Sequence, residues 1–171
     1  MARGEPSTAL ILVMQYIQHA RLQDSKSWPE HLHTQVAQEA VHQGASINSL
    51  RGEPDLGTPA RGGLPGTIAR RTEDGWRISG RKIYSTGSHG LTWFNVRGRS
   101  DDEDPLVGGW LVYKDSLGIR IVEDWNHLGM RATCSHEMIF EEVWLPLEHA
   151  VSVNRWSAPQ PELDASGMLW I

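Results

Sequence analysis

Tyr84, Ser85 and Thr86, followed by Gly87, put one aromatic ring and two hydroxyls at the end of an expected strand over residues 82–85. Such a set can wall a planar heteroaromatic ring and hydrogen-bond its edge, which is how a protein tunes a bound cofactor. Upstream, Gly52-Glu53-Pro54-Asp55-Leu56-Gly57-Thr58 is a loop that can hold backbone groups out toward a ligand. By composition alone, a strand running into a Thr-Gly turn accounts for Tyr84 to Gly87 as well, since turns of that composition are common.

Other chemistries find less support. His31 and His33 stand two apart on a predicted helix, so they face different ways and cannot share a metal there. No H-E-x-x-H is present, and His136 and Glu137 are neighbours on a predicted strand, pointing to opposite faces. No metal site is expected. Cys134 lacks a helix start or adjacent cation to lower its pKa, although Arg131 is close in sequence, and is expected to be a buried structural thiol. There is no G-x-S-x-G elbow, and no G-x-G-x-x-G between a strand and a helix. Gly57, Gly62 and Gly63 therefore read as loop glycines, and no catalytic residue is assigned. Arg61-Gly62-Gly63 is a single copy in a chain of net charge -5, which argues against a nucleic-acid partner.

These groups need a scaffold. In 171 residues, 39% hydrophobic and 22% charged, the composition is that of a folded domain with a sizeable core. One cysteine allows no internal disulfide and fits a reducing compartment. The apolar run over residues 9–14 is too short to span a bilayer and lacks a signal-peptide cleavage pattern, so a cytoplasmic location is expected. Leu10, Val13, Met14 and Ile17 mark one helical face, with Ser7 or Thr8 as its cap. A second helix is predicted from the Ser27/Glu30 capping box, with Leu32, Val36, Ala37, Ala40 and Val41 as its stripe and Gly44 as its C-cap. After the loop at 51–66, short strands are predicted over 67–71, 76–79, 82–85, 92–97, 109–113, 119–122 and 137–144, with a hairpin turn at Glu73-Asp74-Gly75. Helices followed by such strands imply an α+β chain with a small antiparallel β-barrel or sandwich. The eight tryptophans are expected mainly in its core and interfaces. Residues 157–161 have a linker composition, and the apolar 168–171 reads as the first turn of a further element.

The order of motifs resembles the acyl-CoA dehydrogenase superfamily. Residues 52–58 resemble its T-E-P-x-x-G-S loop, and Asp74-Gly75-Trp76-Arg77-Ile78-Ser79-Gly80-Arg81-Lys82 is similar to its D-G-x-x-L-N-G-x-K hairpin. Tyr84 to Gly87 occupies the W-I-T-N position. Leu128-Gly129-Met130-Arg131-Ala132-Thr133, Ser135 and Phe140-Glu141-Glu142-Val143-Trp144-Leu145-Pro146 resemble the L-G-x-R…S…F-x-x-V-x-V-P ending. The resemblance implies the end of an N-terminal helical domain at 1–46, a β-barrel flavin- and substrate-binding middle domain at 47–152, and a linker opening an absent C-terminal helical bundle at 153–171. It implies a flavin site lined by Gly57, Thr58, Tyr84, Ser85 and Thr86, with FAD as cofactor and FMN as the alternative. Tyr84 takes the place of the family's aromatic at the flavin, Thr86 matches the hydroxyl that bonds the ring, and Thr58 matches the serine near the pyrophosphate.

The implied activity is α,β-dehydrogenation of an acyl-CoA thioester. The family's catalytic glutamate lies on the missing bundle, so the chain alone is expected to be inactive. Implied partners are acyl-CoA or another small molecule, an electron-transfer flavoprotein or a flavin reductase, and further copies of the chain, since the parent family is homotetrameric. Gly52 in place of threonine, Pro59 in place of aspartate and the Arg-Gly-Gly insertion, with Tyr84-Ser85-Thr86-Gly87 and Trp125-Asn126-His127-Leu128-Gly129-Met130-Arg131, look closer to a branch containing dibenzothiophene-monooxygenase-like flavin enzymes. Flavin-dependent monooxygenation is therefore the competing reading, and a non-enzymatic remnant or interaction module is the third.

Overall fold

The computed structural model describes residues 4–25, 27–55 and 63–156. Helix α1 spans Pro6–Asp24. Its cap is neither Ser7 nor Thr8. Glu5 is the N-cap, and its carboxylate accepts the backbone N–H groups of both residues, meeting two of the first-turn donors that no helical carbonyl can reach.

Helix α2 spans Glu30–Gln43. The expected capping box does not form. Pro29 is the N-cap, with extended backbone and no side-chain cap, which leaves Ser27 two residues too early. The Ser27 hydroxyl instead lies 2.8 Å from those of Ser25 and Ser152. Gly44 does end the helix, at φ 67°, a left-handed conformation that costs glycine nothing.

Eight strands follow: β1 Ile47–Leu50, β2 Ile68–Arg71, β3 Trp76–Lys82, β4 Trp93–Ser100, β5 Leu106–Tyr113, β6 Ile119–Val122, β7 Glu137–Leu145 and β8 Ala150–Arg155. They form one sheet in the order β6-β7-β3-β2-β4-β5-β8, with β1 also on β4. The expected antiparallel barrel is corrected in two respects. The sheet is mixed, because β1 and β2 both run parallel to β4, end to end along one edge: Ile47 to Leu50 face Trp93 to Val96, and Ile68 and Ala69 face Arg99 and Ser100. It is also not closed, since the end strands β6 and β8 do not pair with each other. Alternating hydropathy identifies a strand but does not say which strands meet at the edges.

β3 absorbs the residues predicted as two strands and stops at Lys82, short of the expected Ser85. The register of β3 on β7 shifts between Ile78 and Gly80, where Glu142 (φ 50°) is part of a bulge. The Ser79 hydroxyl accepts the Glu142 N–H at 3.0 Å and donates to its carboxylate at 2.9 Å. β1 and β8 were not predicted. Asn48 and Ser49 interrupt the apolar pattern of β1, and β8 follows the proline after which the pattern fades.

The sheet buries side chains on both faces. Leu50, Phe94, Val96, Trp110, Val112 and Phe140 belong to one core, with Trp76 edge-on to Trp110 at 5.7 Å. On the other face Leu22, Leu32 and Val36 of the helices pack with Ile47, Trp93, Leu111 and Val151. β4 and β5 serve both faces by alternation, as the pleat requires. Trp76, Trp93 and Trp110 are core residues, whereas Trp144 and Trp156 are exposed.

Candidate functional site at the β3 end

Beyond β3 the chain turns sharply. Tyr84 has φ 55°, a conformation that an aromatic residue adopts only at a cost of about 1–2 kcal/mol. Tyr84 is 65% exposed, and its ring stands edge-on to Trp125 at 6.2 Å. Ser85 is buried, its hydroxyl 3.4 Å from the Lys82 carbonyl and its N–H donated to the His136 carbonyl. Thr86 is half-buried; its carbonyl accepts from Asn48 Nδ2 at 3.0 Å, and its hydroxyl lies 3.0 Å from that of Ser135. Gly57 and Thr58 lie outside the described residues.

A second segment is stitched to this turn. Gly87 N–H donates to Thr133 O at 2.7 Å, and the Ser88 N–H and hydroxyl both donate to Cys134 O. Here a 3-10 turn at Arg131–Thr133 is flanked by Met130 (φ 55°) and Cys134 (φ 44°). The tight turn leaves Cys134 half-buried rather than buried as expected. Trp125 is fixed by donating its indole N–H to Met130 O, and its backbone N–H to His136 Nδ1, each at 3.1 Å. The latter bond places the proton of a neutral His136 on Nε2.

The base of the 52–67 loop meets the same strand end. Lys82, fully buried, sits 2.5 Å from Glu53 Oε1. The Glu53 carboxylate also accepts from Gly66 N, Thr67 N and Thr67 Oγ1 at 2.6, 3.1 and 2.7 Å. One buried carboxylate therefore ties the start of the loop to its end and both to β3. Burial pushes the Lys82 ammonium down to about 8, against the opposing pull of Glu53. Burial alone would raise the Glu53 carboxyl, but the bonds and charge of Lys82, Thr67 and Gly66 outweigh it and hold it below its ordinary value. Gly52 touches the strand end directly: its carbonyl accepts Ile83 N–H at 3.0 Å, and a Cβ there would lie 3.0 Å from Ile83 O. Glycine at this position, where the family carries threonine, is a matter of space.

The fold thus brings together motif blocks far apart in the chain, 52–53 onto 82–83 and 84–88 onto 133–136. Sequence reasoning missed the buttressing roles of Asn48, Trp125 and Thr133. Trp125, Thr133 and Ser135 stood in motifs, but nothing in the sequence said that Ser135 meets Thr86. Separately, a cavity of about 160 Å³ is lined by Gln18, Ser49, Arg51, Asn95 and Arg97 among others, beside α1 and β1.

An exposed, strained aromatic and a half-buried hydroxyl two residues on thus share one turn with the base of the 52–67 loop. Comparison with known proteins gives the class. Residues 51–143, more than half of the chain, match the acyl-CoA dehydrogenase middle domain. The chain belongs to the acyl-CoA dehydrogenase family through that domain. It is 38% identical over 145 residues to "Putative acyl-CoA dehydrogenase YdbM" of Bacillus subtilis (strain 168), covering 85% of this chain and 38% of that protein. The chain spans less than two fifths of the length of the curated relatives it matches. Among solved structures, KijD3 in complex with dTDP superposes with a TM-score of 0.78 at 24% identity, over 92% of this chain and 40% of that one. A glutaryl-CoA dehydrogenase from Mycobacterium smegmatis in complex with FADH2 gives 0.64 at 25% identity, over 76% and 32%. Among the described residues no helix is long and apolar enough to cross a membrane.

Proposed function

We propose that this chain supplies the flavin-binding middle domain of an FAD-dependent oxidoreductase, with Tyr84 against the flavin, Thr86 bonding its edge, and Gly57 and Thr58 completing the rim from the loop that Glu53 closes. The observation that carries this reading is Tyr84, held exposed in a costly backbone conformation two residues before Thr86. Strain of this kind persists where surrounding structure over-determines it, and it clusters at ligand sites. Ser85 contributes through its backbone and its packing, which set the turn. Bound flavin would supply a two-electron hydride acceptor.

The substrate reading is an acyl-CoA thioester undergoing α,β-dehydrogenation, supported by the similarity to YdbM over most of this chain. Flavin-dependent monooxygenation is the second reading. It is favoured by Gly52, which removes a hydroxyl from the loop.

Reconstitution tests the proposal. The purified chain is mixed with FAD or FMN and passed through gel filtration, and visible flavin absorbance is measured in the protein peak. Retained flavin is expected for the wild type. Tyr84→Asn keeps a residue tolerant of positive φ but removes the ring, and should bind flavin about tenfold more weakly at nearly unchanged stability. Failure of the wild type to retain either flavin would refute the reading.

A further inference from the structure

We propose that the cavity beside α1 and β1 is a binding site for a small organic acid, its carboxylate held by Arg97 with Asn95 and Arg51, and its apolar body against Leu22 and Ile47. Asn95 and Arg97 stand two apart on β4 and project from one face of the sheet, the face on which Trp93 packs against the helices. In the parallel register with β1, Ser49 faces Asn95 and Leu50 faces Val96. The residues next in line, Arg51 and Arg97, both line the cavity, and Arg21 joins them from the last turn of α1. No Asp or Glu is among the described residues that line it. Like charges side by side on neighbouring strands repel, and a guanidinium does not relieve the repulsion by losing its proton. An anion does.

Arg97 is half-buried and makes no hydrogen bond or ion pair among the described residues. Its charge is felt at Lys82, where it adds to the burial that lowers the ammonium. Glu53 does not answer it, since that carboxylate is committed to Lys82 and Thr67. Asn95 likewise has no side-chain partner among the described residues. Its Oδ1 is buried and unpaired, packed where a Cβ on residue 109 would collide with it, so Gly109 is what lets the amide lie down on β5. Nδ2 keeps two protons to give. Polar groups this poorly served are few in folded proteins, and a ligand that accepts from both side chains accounts for them.

Size and lining narrow the class. The cavity, about 160 Å³, amounts to about five water volumes, room for an acid of about six carbons and too little for a nucleotide. A carboxylate can accept two parallel N–H bonds from the Arg97 fork, as a phosphate also can. Leu22, Trp28 and Ile47 line the rest of the space, which favours a hydrocarbon body over a free inorganic anion.

Isothermal titration calorimetry of the full chain with sodium hexanoate, at constant ionic strength, is the test, with hexanol and inorganic phosphate as comparison ligands. The wild type should bind hexanoate saturably and about tenfold or more tightly than either. Arg97→Met keeps the apolar stem and removes the charge, and should weaken hexanoate binding about tenfold or more. Asn95→Ala takes no side-chain hydrogen bond from the folded chain, so it should stay folded and bind about three- to tenfold more weakly. Saturating hexanoate should also raise the melting temperature of the wild type and not that of Arg97→Met. Absence of saturable binding by the wild type, phosphate bound as tightly as hexanoate, or unchanged affinity in Arg97→Met or Asn95→Ala overturns the proposal. Tyr84 and Thr86 do not line the cavity, so each of these results leaves the flavin reading standing.

Discussion

Lys82 and Glu53 show how far a single residue pair can govern this chain. Both are buried, and each pulls the other toward its charged form. Removing one partner of such a pair strands the other, which is worth about 3–5 kcal/mol. Lys82→Met should therefore lower the unfolding free energy in urea by that amount, and the double variant Lys82→Met/Glu53→Gln should recover much of it. The pH dependence has a definite sign. The folded value of Lys82, about 8, lies below its ordinary 10.5, so between these the unfolded chain holds a proton that the folded chain has released. Its contribution to stability accordingly rises with pH across that window, and Lys82→Met should abolish the rise. Glu53 acts in the acid range: its folded value is depressed, so its contribution is complete above the ordinary carboxylate value and is lost as pH falls through the folded one. Urea unfolding at a series of pH values reads both limbs.

At the scale of elements, the contact between the loop base and the strand end positions the proposed rim. Gly52→Thr restores the family's residue type but drives a side chain into Ile83, whose carbonyl and Cγ1 stand 3.0 and 3.3 Å from the new Cβ. A loss of about 1–3 kcal/mol is expected in thermal or urea unfolding, together with weaker flavin binding, because Tyr84 follows Ile83 directly. The elements differ in how clearly the sequence announced them. β6 was legible to the residue, since Ile119 and Ile121 alternate with polar neighbours and Gly118 precedes them. β1 was not: its parallel partnership with β4 depends on residues more than forty positions away, and Asn48 uses its side chain to hold Thr86 rather than to pattern a strand. The capping box misled because local spacing does not reveal that Pro29 starts α2.

For the whole molecule, the helices and the sheet share a buried cluster and should unfold together. Leu32 is 3% exposed in that cluster, on α2 and against the sheet side chains. Leu32→Ala should cost about 2–5 kcal/mol and lower the helical circular dichroism and tryptophan fluorescence transitions in step. Separated transitions would show that the helices fold independently.

The residues by themselves determined the family and most of the strands, because turn glycines, hairpin signals and alternating side chains act over a few neighbouring positions. Ordered motif blocks survive in a linear reading for the same reason. Only the tertiary structure decided that the sheet is mixed and open, that Tyr84 stands in the left-handed region, and that Thr86 meets Ser135 across 49 positions of chain. Those facts depend on which strand edges pair and where buried polar groups find partners. Both are long-range matters, decided by packing and by the cost of leaving a buried hydrogen-bonding group unpaired.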